Sequence, residues 1–522
     1  MGTYLGLDSS TQSLSATIID TDSGKVVAEQ AVNFGQDLPQ YRSPSGVLPA
    51  DDPALCHSDP LMWVEAVDLL FGRLREQGLD LGRIDGISGA GQQHGSVYLA
   101  RPISEVGGWS AERPLKEQVA PLLSRPTSPI WMDSSTGAEC SEIATAVGGD
   151  ARVVAVTGSR ATARFTGPQI RKFFKDEPEV YGRTREIHLV SSFIAALLTG
   201  RSAPIDLGDG AGMNLLDLAA AKWSPELLDA TAPGLAERLR EPVASATRVG
   251  EVTEYFVARY GLRKGVGVFA FTGDNPSSLV GMGASAPGTA VISLGTSDTV
   301  FAAMREPCTD PRGFGHVFGN PAGGFMSLIC FSNGSLAREA IAKRFGLDWD
   351  AFSKAITERT VPGNQGNLLL PFFVPEITPR VTEPRVELFG TAEFVAYRDP
   401  AAAVRAIVEA QALSMRRHSD WIGERPERIL VTGGASRSAG IRQVLADVFQ
   451  AEITPLSVSN SSALGGAMRA AQAAEGTPYS DLFSRFSVPD RANATVPDPA
   501  TRAVYDDQLG RFVQKLETVT GS

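Results

Sequence analysis

The sequence predicts an α/β protein of two domains, each built on a mixed β-sheet flanked by helices. The chain has 522 residues, which is more than one hydrophobic core usually holds. Short apolar strands alternate with helix-like segments along its length. Two stretches, "LGLDSSTQSLSATII" near the N-terminus and "AVISLGTSDTVFAAM" near the middle, share a pattern of apolar strand, polar turn and apolar strand. We therefore predict one domain plan used twice, in domains of residues 1–250 and 251–522.

The first domain begins with three strands, Thr3–Asp8, Ser13–Asp20 and "KVVAEQAVNF", whose short connections make them antiparallel. A helix is predicted over Asp59–Gly78, with Asp59 as its N-cap and Pro60 as its first residue. Apolar residues at helical spacing predict its buried face: Trp63, Ala66, Val67, Leu70, Phe71 and Leu74. The stretch "IDGISGAGQQHG" then reads as a strand and a glycine-rich loop.

The second half shows the same kinds of element. The stretch "GVGVFAFTGD" predicts a strand, Thr289–Met304 a hairpin and Gly323–Phe331 another strand. "ERILVTGGASRSAGIRQVLADVFQ" predicts a strand, a Gly-Gly turn and a helix. "SNSSALGGAMRAAQAA" predicts a helix of small residues that can pack closely against a sheet.

Composition limits the partners of the chain. The net charge of -11 argues against general binding of nucleic acid or of a membrane surface, although local dipoles can still hold a small anion. The four cysteines are scattered without a C-x-x-C pair, which fits a reducing cytoplasm. No apolar run has the length of a membrane span, and the N-terminus has no signal-peptide pattern. We expect a cytoplasmic protein with neither nucleic acid nor membrane as a partner.

The two polar turns are candidate phosphate sites. Ser9–Ser13 and Gly295–Asp298 each offer backbone N–H and hydroxyl groups between two strands. The alternative is that such turns only join hairpins. Because the turns match in two matched domains, they favour a polyphosphate ligand. Asp8 precedes the first turn, and a carboxylate beside bound phosphates commonly holds Mg²⁺ directly or through water. The Gly433-Gly434-Ala435 turn lets backbone approach a flat or charged ligand.

Asp274 lies where the strand of "FAFTGDNPSS" ends and a helix begins. One hypothesis is structural: Asp or Asn before Pro276 caps a helix in which the proline is the first residue. The other is that the carboxylate is a catalytic acid at a strand end. Asp133 in "WMDSS" also has two interpretations, a structural one and a contact with a bound ligand.

Six motifs in order resemble the FGGY carbohydrate kinase family over nearly the whole chain: "GLDSSTQSLSATIID", "ISGAGQQHGS", "SPIWMDSST", "FTGDNPSS", "VISLGTSDT" and "LVTGGASRS". The resemblance implies two actin-like, ribonuclease-H-like ATPase domains with an active-site cleft between them. Five further stretches resemble the eukaryotic branch that phosphorylates D-xylulose: "LMWVEAVDLL", "GSRATARFTGPQI", "PIDLGDGAGMNLLD", "EITP" and "QVLADVF".

The resemblance also implies roles for single residues. Asp274 matches the general base that accepts the proton of the attacking sugar hydroxyl. The sugar contacts that it implies are His94, Arg164, Asp274 and Asn275. Arg160 is the alternative to Arg164, and a satisfied histidine in a glycine-rich loop is the alternative for His94. Asp8 matches the acid near Mg²⁺. The nucleotide contacts that it implies are Thr11, Gly295, Thr296, Trp349, Gly434, Ala435 and Ser438. A core position is the alternative for Trp349. Ser10 departs from the family, which usually has Gly there.

The function implied is transfer of the γ-phosphoryl group of ATP, with Mg²⁺, to the 5-hydroxyl of D-xylulose, an alcohol acceptor. The sugar would bind mainly to the first domain and the nucleotide mainly to the second. Alternatives are a kinase for ribulose, glycerol or another polyol, and a sugar-sensing or chaperone-type ATPase of the same fold. Homodimers occur in the family, so a homodimer is expected by analogy.

Overall fold

The structure, a computed structural model, describes residues 2–520, which form two compact units. The first unit contains the chain up to Ser285, Val317–Phe325 and Val458–Val488. The second contains Ala286–His316, Met326–Ser457 and the chain from Pro489 onward. The first division therefore lies after Ser285 rather than at residue 250, and both units are discontinuous in sequence.

The strands, in chain order, are β1 Thr3–Ser9, β2 Ser13–Asp20, β3 Lys25–Asn33, β4 His57–Ser58, β5 Ile84–Gly91, β6 Ser96–Leu99, β7 Ser128–Pro129, β8 Glu186–Leu189, β9 Ile205–Asp206, β10 Leu216–Asp217, β11 Lys222–Trp223, β12 Pro242–Val243, β13 Arg248–Glu251, β14 Gly267–Phe269, β15 Thr272–Gly273, β16 Thr289–Leu294, β17 Asp298–Met304, β18 His316–Gly319, β19 Phe325–Phe331, β20 Leu368–Phe372, β21 Arg385–Phe389, β22 Arg428–Thr432 and β23 Glu452–Pro455.

The helices are α1 Phe34–Asp37, α2 Pro60–Glu76, α3 Leu115–Val119, α4 Gly137–Ala146, α5 Asp150–Thr157, α6 Thr166–Asp176, α7 Pro178–Arg183, α8 Val190–Thr199, α9 Leu207–Gly210, α10 Pro225–Thr231, α11 Glu254–Tyr260, α12 Asp274–Gly281, α13 Ser335–Phe345, α14 Trp349–Glu358, α15 Ala392–Val395, α16 Pro400–His418, α17 Ala439–Phe449, α18 Ser461–Glu475, α19 Tyr479–Phe486 and α20 Arg502–Thr520. Over residues 2–520, none of them combines the length and the apolar character that crossing a bilayer requires.

The sheet of the first unit has the order β13-β14-β5-β1-β2-β3, and β15 also pairs with β5. The β1–β2 and β2–β3 pairs are antiparallel, as predicted, while β5 lies parallel to β1 and β14 parallel to β5. This pairing explains the later division, because β14 lies beyond residue 250 yet completes the first sheet. Helix α2 begins as predicted: the Asp59 side chain accepts a hydrogen bond from the Leu61 amide, Pro60 is the first helical residue, and the predicted apolar face is buried.

The second unit repeats this plan. Its sheet contains the strand order β19-β17-β16-β22-β23. β16 is antiparallel to β17 and parallel to β22, and β22 is parallel to β23. The relation of β16 to β17 and β22 is thus the relation of β1 to β2 and β5. The prediction of one plan used twice is confirmed.

Helix α18 of small residues follows β23 in sequence but belongs to the first unit. It packs with its backbone against β1 and α12: a Cβ atom on Gly6 would lie 1.8 Å from the Ala463 carbonyl oxygen, and one on Gly281 would lie 1.8 Å from that of Ser461. Only glycine allows this approach. The predicted close packing on a sheet is confirmed.

Candidate active site

Asp274 is the first residue of α12 and follows β15 directly. The helix N-cap is Gly273, so the prediction of an Asp or Asn cap before a leading proline is wrong, and Pro276 is the third residue of the helix. A Cβ atom on Gly273 would lie 2.4 Å from Cγ of Gln93, which excludes a capping side chain there. The Asp274 carboxylate instead accepts hydrogen bonds on Oδ1 from the Asn275 amide at 2.8 Å and from Asn275 Nδ2 at 3.0 Å.

Asp274 and Asp8 are neighbouring carboxyl groups, and neither forms a salt bridge with a residue of 2–520. Burial raises the pKa of Asp274 to about 6, although the Asn275 and Gln93 amides oppose the rise. Burial and, after it, the negative charge of Asp274 together raise the pKa of Asp8 to about 7, while the Ser462 hydroxyl opposes the rise. Asp8 Oδ1 is buried and has no hydrogen-bond partner among residues 2–520. Both carboxyl groups therefore gain or lose a proton near neutral pH.

His94 lies in the loop after β5, with a φ of 72°. Its Nδ1 donates to the Gly212 carbonyl oxygen at 2.8 Å, so the neutral ring presents Nε2 as an acceptor. Burial and then the charge of Arg164 lower the pKa of His94 to about 3. The ring stacks on Phe165 with 4.2 Å between centroids. Arg164 is thus near His94, which favours it over Arg160 as the predicted sugar contact.

Gln93 connects the His94 loop to Asp274, and the sequence analysis assigned it no site role. Asn275 Nδ2 donates to Gln93 Oε1 at 2.8 Å. Gln93 Nε2 is buried and has no partner within the described chain, so it can donate to a ligand. Its place beside a histidine in a glycine-rich loop was the only sequence signal.

Asp209 is a further buried carboxyl group that the sequence analysis missed. Burial raises its pKa well above the usual value, and the charges of Asp206 and Asp274 raise it further. Its Oδ2 accepts a hydrogen bond from Ser191 Oγ at 2.5 Å. The stretch "PIDLGDGAGMNLLD" contains it, but nothing local indicates that it faces Asp274.

The first polar turn joins β1 to β2. Ser10 Oγ donates to the Ser13 carbonyl oxygen at 3.0 Å, so this departure from the family pattern is used within the hairpin. Thr11 Oγ1 accepts a hydrogen bond from Trp131 Nε1 at 2.8 Å, a contact that the sequence did not indicate. The structural interpretation of Asp133 is supported by its hydrogen bonds: its oxygens accept from the Cys56 amide, from Ser135 and from Gln169 Nε2.

The second polar turn, between β16 and β17, is supported from beneath. Arg338 donates to both oxygens of Asp298, at 2.8 and 3.0 Å, and both side chains are 1% exposed. Thr296 and Ser297 are exposed above this pair. Gly295 and Thr296 can therefore receive a phosphate group.

The predicted adenosine turn follows β22. Gly433 has a φ of 90°, and a Cβ atom there would lie 2.2 Å from the Leu294 carbonyl oxygen. A Cβ atom on Gly434 would meet nothing within 4 Å, so this side is open, and Ala435 follows it. Ser438 caps α17 and contacts Ser353 Oγ at 2.9 Å.

Trp349 begins α14, the helix that carries Ser353. Its side chain is 55% exposed, so the alternative that it belongs to the core is wrong. An exposed aromatic ring on a helix joined to Ser438 suits the predicted contact with a nucleotide base.

Over residues 2–520 no group of three or more His, Cys, Asp or Glu side chains could hold a metal ion. Asp8 nevertheless fits a hydrated Mg²⁺, which keeps several waters and needs few protein ligands. The fit rests on the buried and unpartnered Oδ1 of Asp8.

Comparisons with known proteins extend these observations. The N-terminal domain of the FGGY family of carbohydrate kinases matches residues 3–281, and the C-terminal domain matches residues 290–474. The chain is 41% identical over 526 residues to the xylulose kinase of Rattus norvegicus, covering 98% of this chain and 96% of that protein. It is also 41% identical over 486 residues to xylulose kinase 2 of Arabidopsis thaliana, covering 90% and 86%.

Solved structures show the same fold. The xylulose kinase from Rhodospirillum rubrum has a TM-score of 0.83 at 23% identity, covering 99% of each chain. The glycerol kinase of Plasmodium falciparum with ADP has a TM-score of 0.78 at 15% identity, covering 99% of this chain and 98% of that one. The actin-like, two-domain α/β fold predicted from the sequence is confirmed. With both family domains matched in order and full-length relatives at 41% identity, the chain belongs to the FGGY family of carbohydrate kinases.

Proposed function

We propose that this kinase transfers the γ-phosphoryl group of ATP to the 5-hydroxyl of D-xylulose, with Asp274 as the general base. The observation that carries the proposal is the state of Asp274, a half-buried carboxylate with a pKa of about 6 that accepts hydrogen bonds from the neutral amide groups of Asn275. A carboxylate paired with arginine would be a weaker base. The xylulose kinases at 41% identity support D-xylulose as the acceptor.

The chemistry asks little of the protein beyond positioning and charge. The 5-hydroxyl oxygen forms a bond to the γ-phosphorus while the bond from that phosphorus to the leaving ADP oxygen breaks. Asp274 accepts the hydroxyl proton and later releases it to water. With a pKa of about 6, the carboxylate is mostly ionised at neutral pH and still basic enough to accept the proton.

Neutral and cationic donors then orient the sugar. Neutral His94 accepts a hydrogen bond at Nε2, while Arg164 and Gln93 Nε2 donate to hydroxyl oxygens. Asn275 holds the Asp274 carboxylate and the Gln93 side chain at the same time. Discrimination among sugars follows from these few hydrogen bonds, because a missing hydroxyl leaves a buried donor or acceptor unpaired.

The nucleotide contacts belong mainly to the second unit. In this proposal Gly295 and Thr296 bind phosphate, Gly434, Ala435 and Ser438 border the adenosine, and Trp349 packs on the base. Thr11 stays a predicted phosphate contact. Asp8 would hold Mg²⁺ through water, and the ion when bound neutralises charge on the phosphates. Over residues 2–520 none of the four cysteines forms a disulfide bond, which supports the proposed cytoplasmic location. The homodimer stays a prediction, and light scattering tests it by measuring the molar mass in solution.

The test is ADP release with MgATP and D-xylulose, L-xylulose, D-ribulose, L-ribulose, glycerol or no sugar. We expect D-xylulose to give the highest kcat/KM, and Asp274→Ala to lower kcat by about 10²–10⁴-fold, the usual contribution of a general base. Asp68→Asn is the control, since Asp68 is a half-buried carboxylate of the same unit that accepts hydrogen bonds from Tyr255 and Tyr260.

Each other outcome changes the proposal in a defined way. A higher kcat/KM with ribulose or glycerol would replace the substrate and keep the mechanism. Equal ADP release without sugar, unaffected by Asp274→Ala, would favour a sensing or chaperone-type ATPase.

A further inference from the structure

Arg469 lies in the middle of α18 and is 1% exposed. A buried guanidinium keeps its charge and needs acceptors for its N–H groups. One terminal nitrogen donates to the carbonyl oxygen of Ala270 at 3.1 Å, and the other donates to the carbonyl oxygen of Gly89. The side chain thus binds the backbone of β5 and that of Ala270, the residue after β14, and neither the sequence motifs nor the proposed chemistry uses it.

Its position coincides with an interruption in the first sheet. β5 pairs with β14 at Gly86 and Ile87, and with β15 at Ala90 and Gly91. Residues 270 and 271, between β14 and β15, take part in neither pairing with β5. The Ala270 carbonyl is held instead by Arg469 and by Ser88 Oγ, which donates to it at 3.0 Å. The guanidinium therefore substitutes for the missing strand pairing.

The two segments that Arg469 joins, β5 and the link of residues 270–271 between β14 and β15, lead to the candidate active site. β5 runs directly into Gln93 and His94, and β15 runs directly into Asp274. At the site itself these two ends are connected by the hydrogen bond from Asn275 to Gln93. Arg469 supplies a second connection, below the site.

We propose that Arg469 is a positioning residue for this phosphoryl transfer. By holding the carbonyls of Gly89 and Ala270, it fixes the His94 loop relative to Asp274. The kinetic consequence rests on the proposed function, whereas the structural consequence does not. A displacement of about 1 Å between base and bound hydroxyl can lower the rate about 10²-fold.

The test compares Arg469→Met and Arg469→Lys with Arg485→Met. Arg485 lies, like Arg469, in Val458–Val488, the last segment of the first unit. It donates to the Thr21 carbonyl oxygen at 2.5 Å. Thr21 follows β2, at the end of that strand away from the Ser9–Ser13 turn. We expect Arg469→Met to lower kcat for D-xylulose about 10–100-fold with the KM for ATP within about twofold of wild type. The kcat of Arg469→Lys should lie between those of wild type and Arg469→Met, because one ammonium group replaces a guanidinium that reaches two carbonyls. Arg485→Met should keep the wild-type kcat.

Amide hydrogen exchange gives a readout that needs no sugar. In Arg469→Met, amides of residues 90–94 and 272–275 should exchange faster than in wild type, and in Arg485→Met they should not. If Arg469→Met does not fold, Arg469→Lys provides both measurements.

Two results would overturn the proposal: wild-type kcat and exchange in the Arg469 variants, or equal losses in the Arg469 and Arg485 variants that follow the unfolded fraction. If the wild-type chain phosphorylates no sugar, the proposed function fails while the exchange comparison still decides the role of Arg469.

Discussion

The hairpin β1–β2 of the first unit and the hairpin β16–β17 of the second have the same topology but treat their aspartates differently. Asp298, beside the second turn, is paired on both oxygens with Arg338. Asp8, beside the first turn, has a buried oxygen with no partner among residues 2–520 and faces another acid, Asp274. Burial raises the pKa of Asp298 as well, but the Arg338 guanidinium opposes that rise.

The difference separates structural support from chemistry. A charge that is neutralised within the protein supports a turn and leaves the turn's backbone available for a ligand. A charge that is left without a cation is costly to the fold and available to a proton or a metal ion. The same fold therefore carries the proposed phosphate-binding turn in one unit and the proposed acid–base chemistry in the other.

The largest expected effect comes from breaking the paired side of the comparison. Arg338→Met leaves Asp298 buried and uncompensated, and should lower the free energy of unfolding by about 3–5 kcal/mol. Urea unfolding followed by circular dichroism measures this change. The double variant Arg338→Met with Asp298→Asn should recover most of the loss. If the double variant is no more stable than the single one, the pair is not what supports the turn.

A smaller effect of opposite sign is expected on the unpaired side. Asp8→Asn should raise the free energy of unfolding at pH 8, in the presence of EDTA, by about 1–3 kcal/mol, because it removes the desolvation cost of an ionised buried carboxylate. The pKa of Asp8 is raised from 3.8 to about 7, so this cost is complete above pH 7 and disappears as the pH falls towards 4. The stabilisation by Asp8→Asn should therefore shrink as the pH falls from 7 towards 4. Asp298→Asn should instead lower the free energy of unfolding. If Asp8→Asn and Asp298→Asn each raised it, the contrast between the two aspartates would be wrong.

The smallest effect concerns pH at constant sequence. Asp274 acts as a base only when ionised, and its pKa is about 6. We expect kcat/KM for the sugar to be level above that pH and to fall about tenfold for each pH unit below it. Steady-state rates between pH 5 and 8 measure this limb, with unfolding monitored at each pH. A limb near pH 4 would mean that Asp274 is not held in the desolvated state that the structure shows.

Local sequence patterns predict the individual helices and hairpins and most of the candidate site. Helix α2, the two hairpins and the small-residue helix α18 follow from periodicity, capping and composition, which act over a few neighbouring residues. Asp274, His94 and Asn275 were found because motifs keep their order along the chain. The roles assigned to them remain predictions that the experiments above test.

The tertiary structure decided what depends on residues far apart in sequence. It placed the division after Ser285 because β14 pairs with β5, and it brought α18 back into the first unit. It also made three contacts that no local pattern encodes: Asn275 with Gln93, Trp131 with Thr11, and Arg469 with the carbonyls of Gly89 and Ala270. The physical reason is that burial, and with it the pKa of an acid such as Asp8, is set by the chain segments that pack around it.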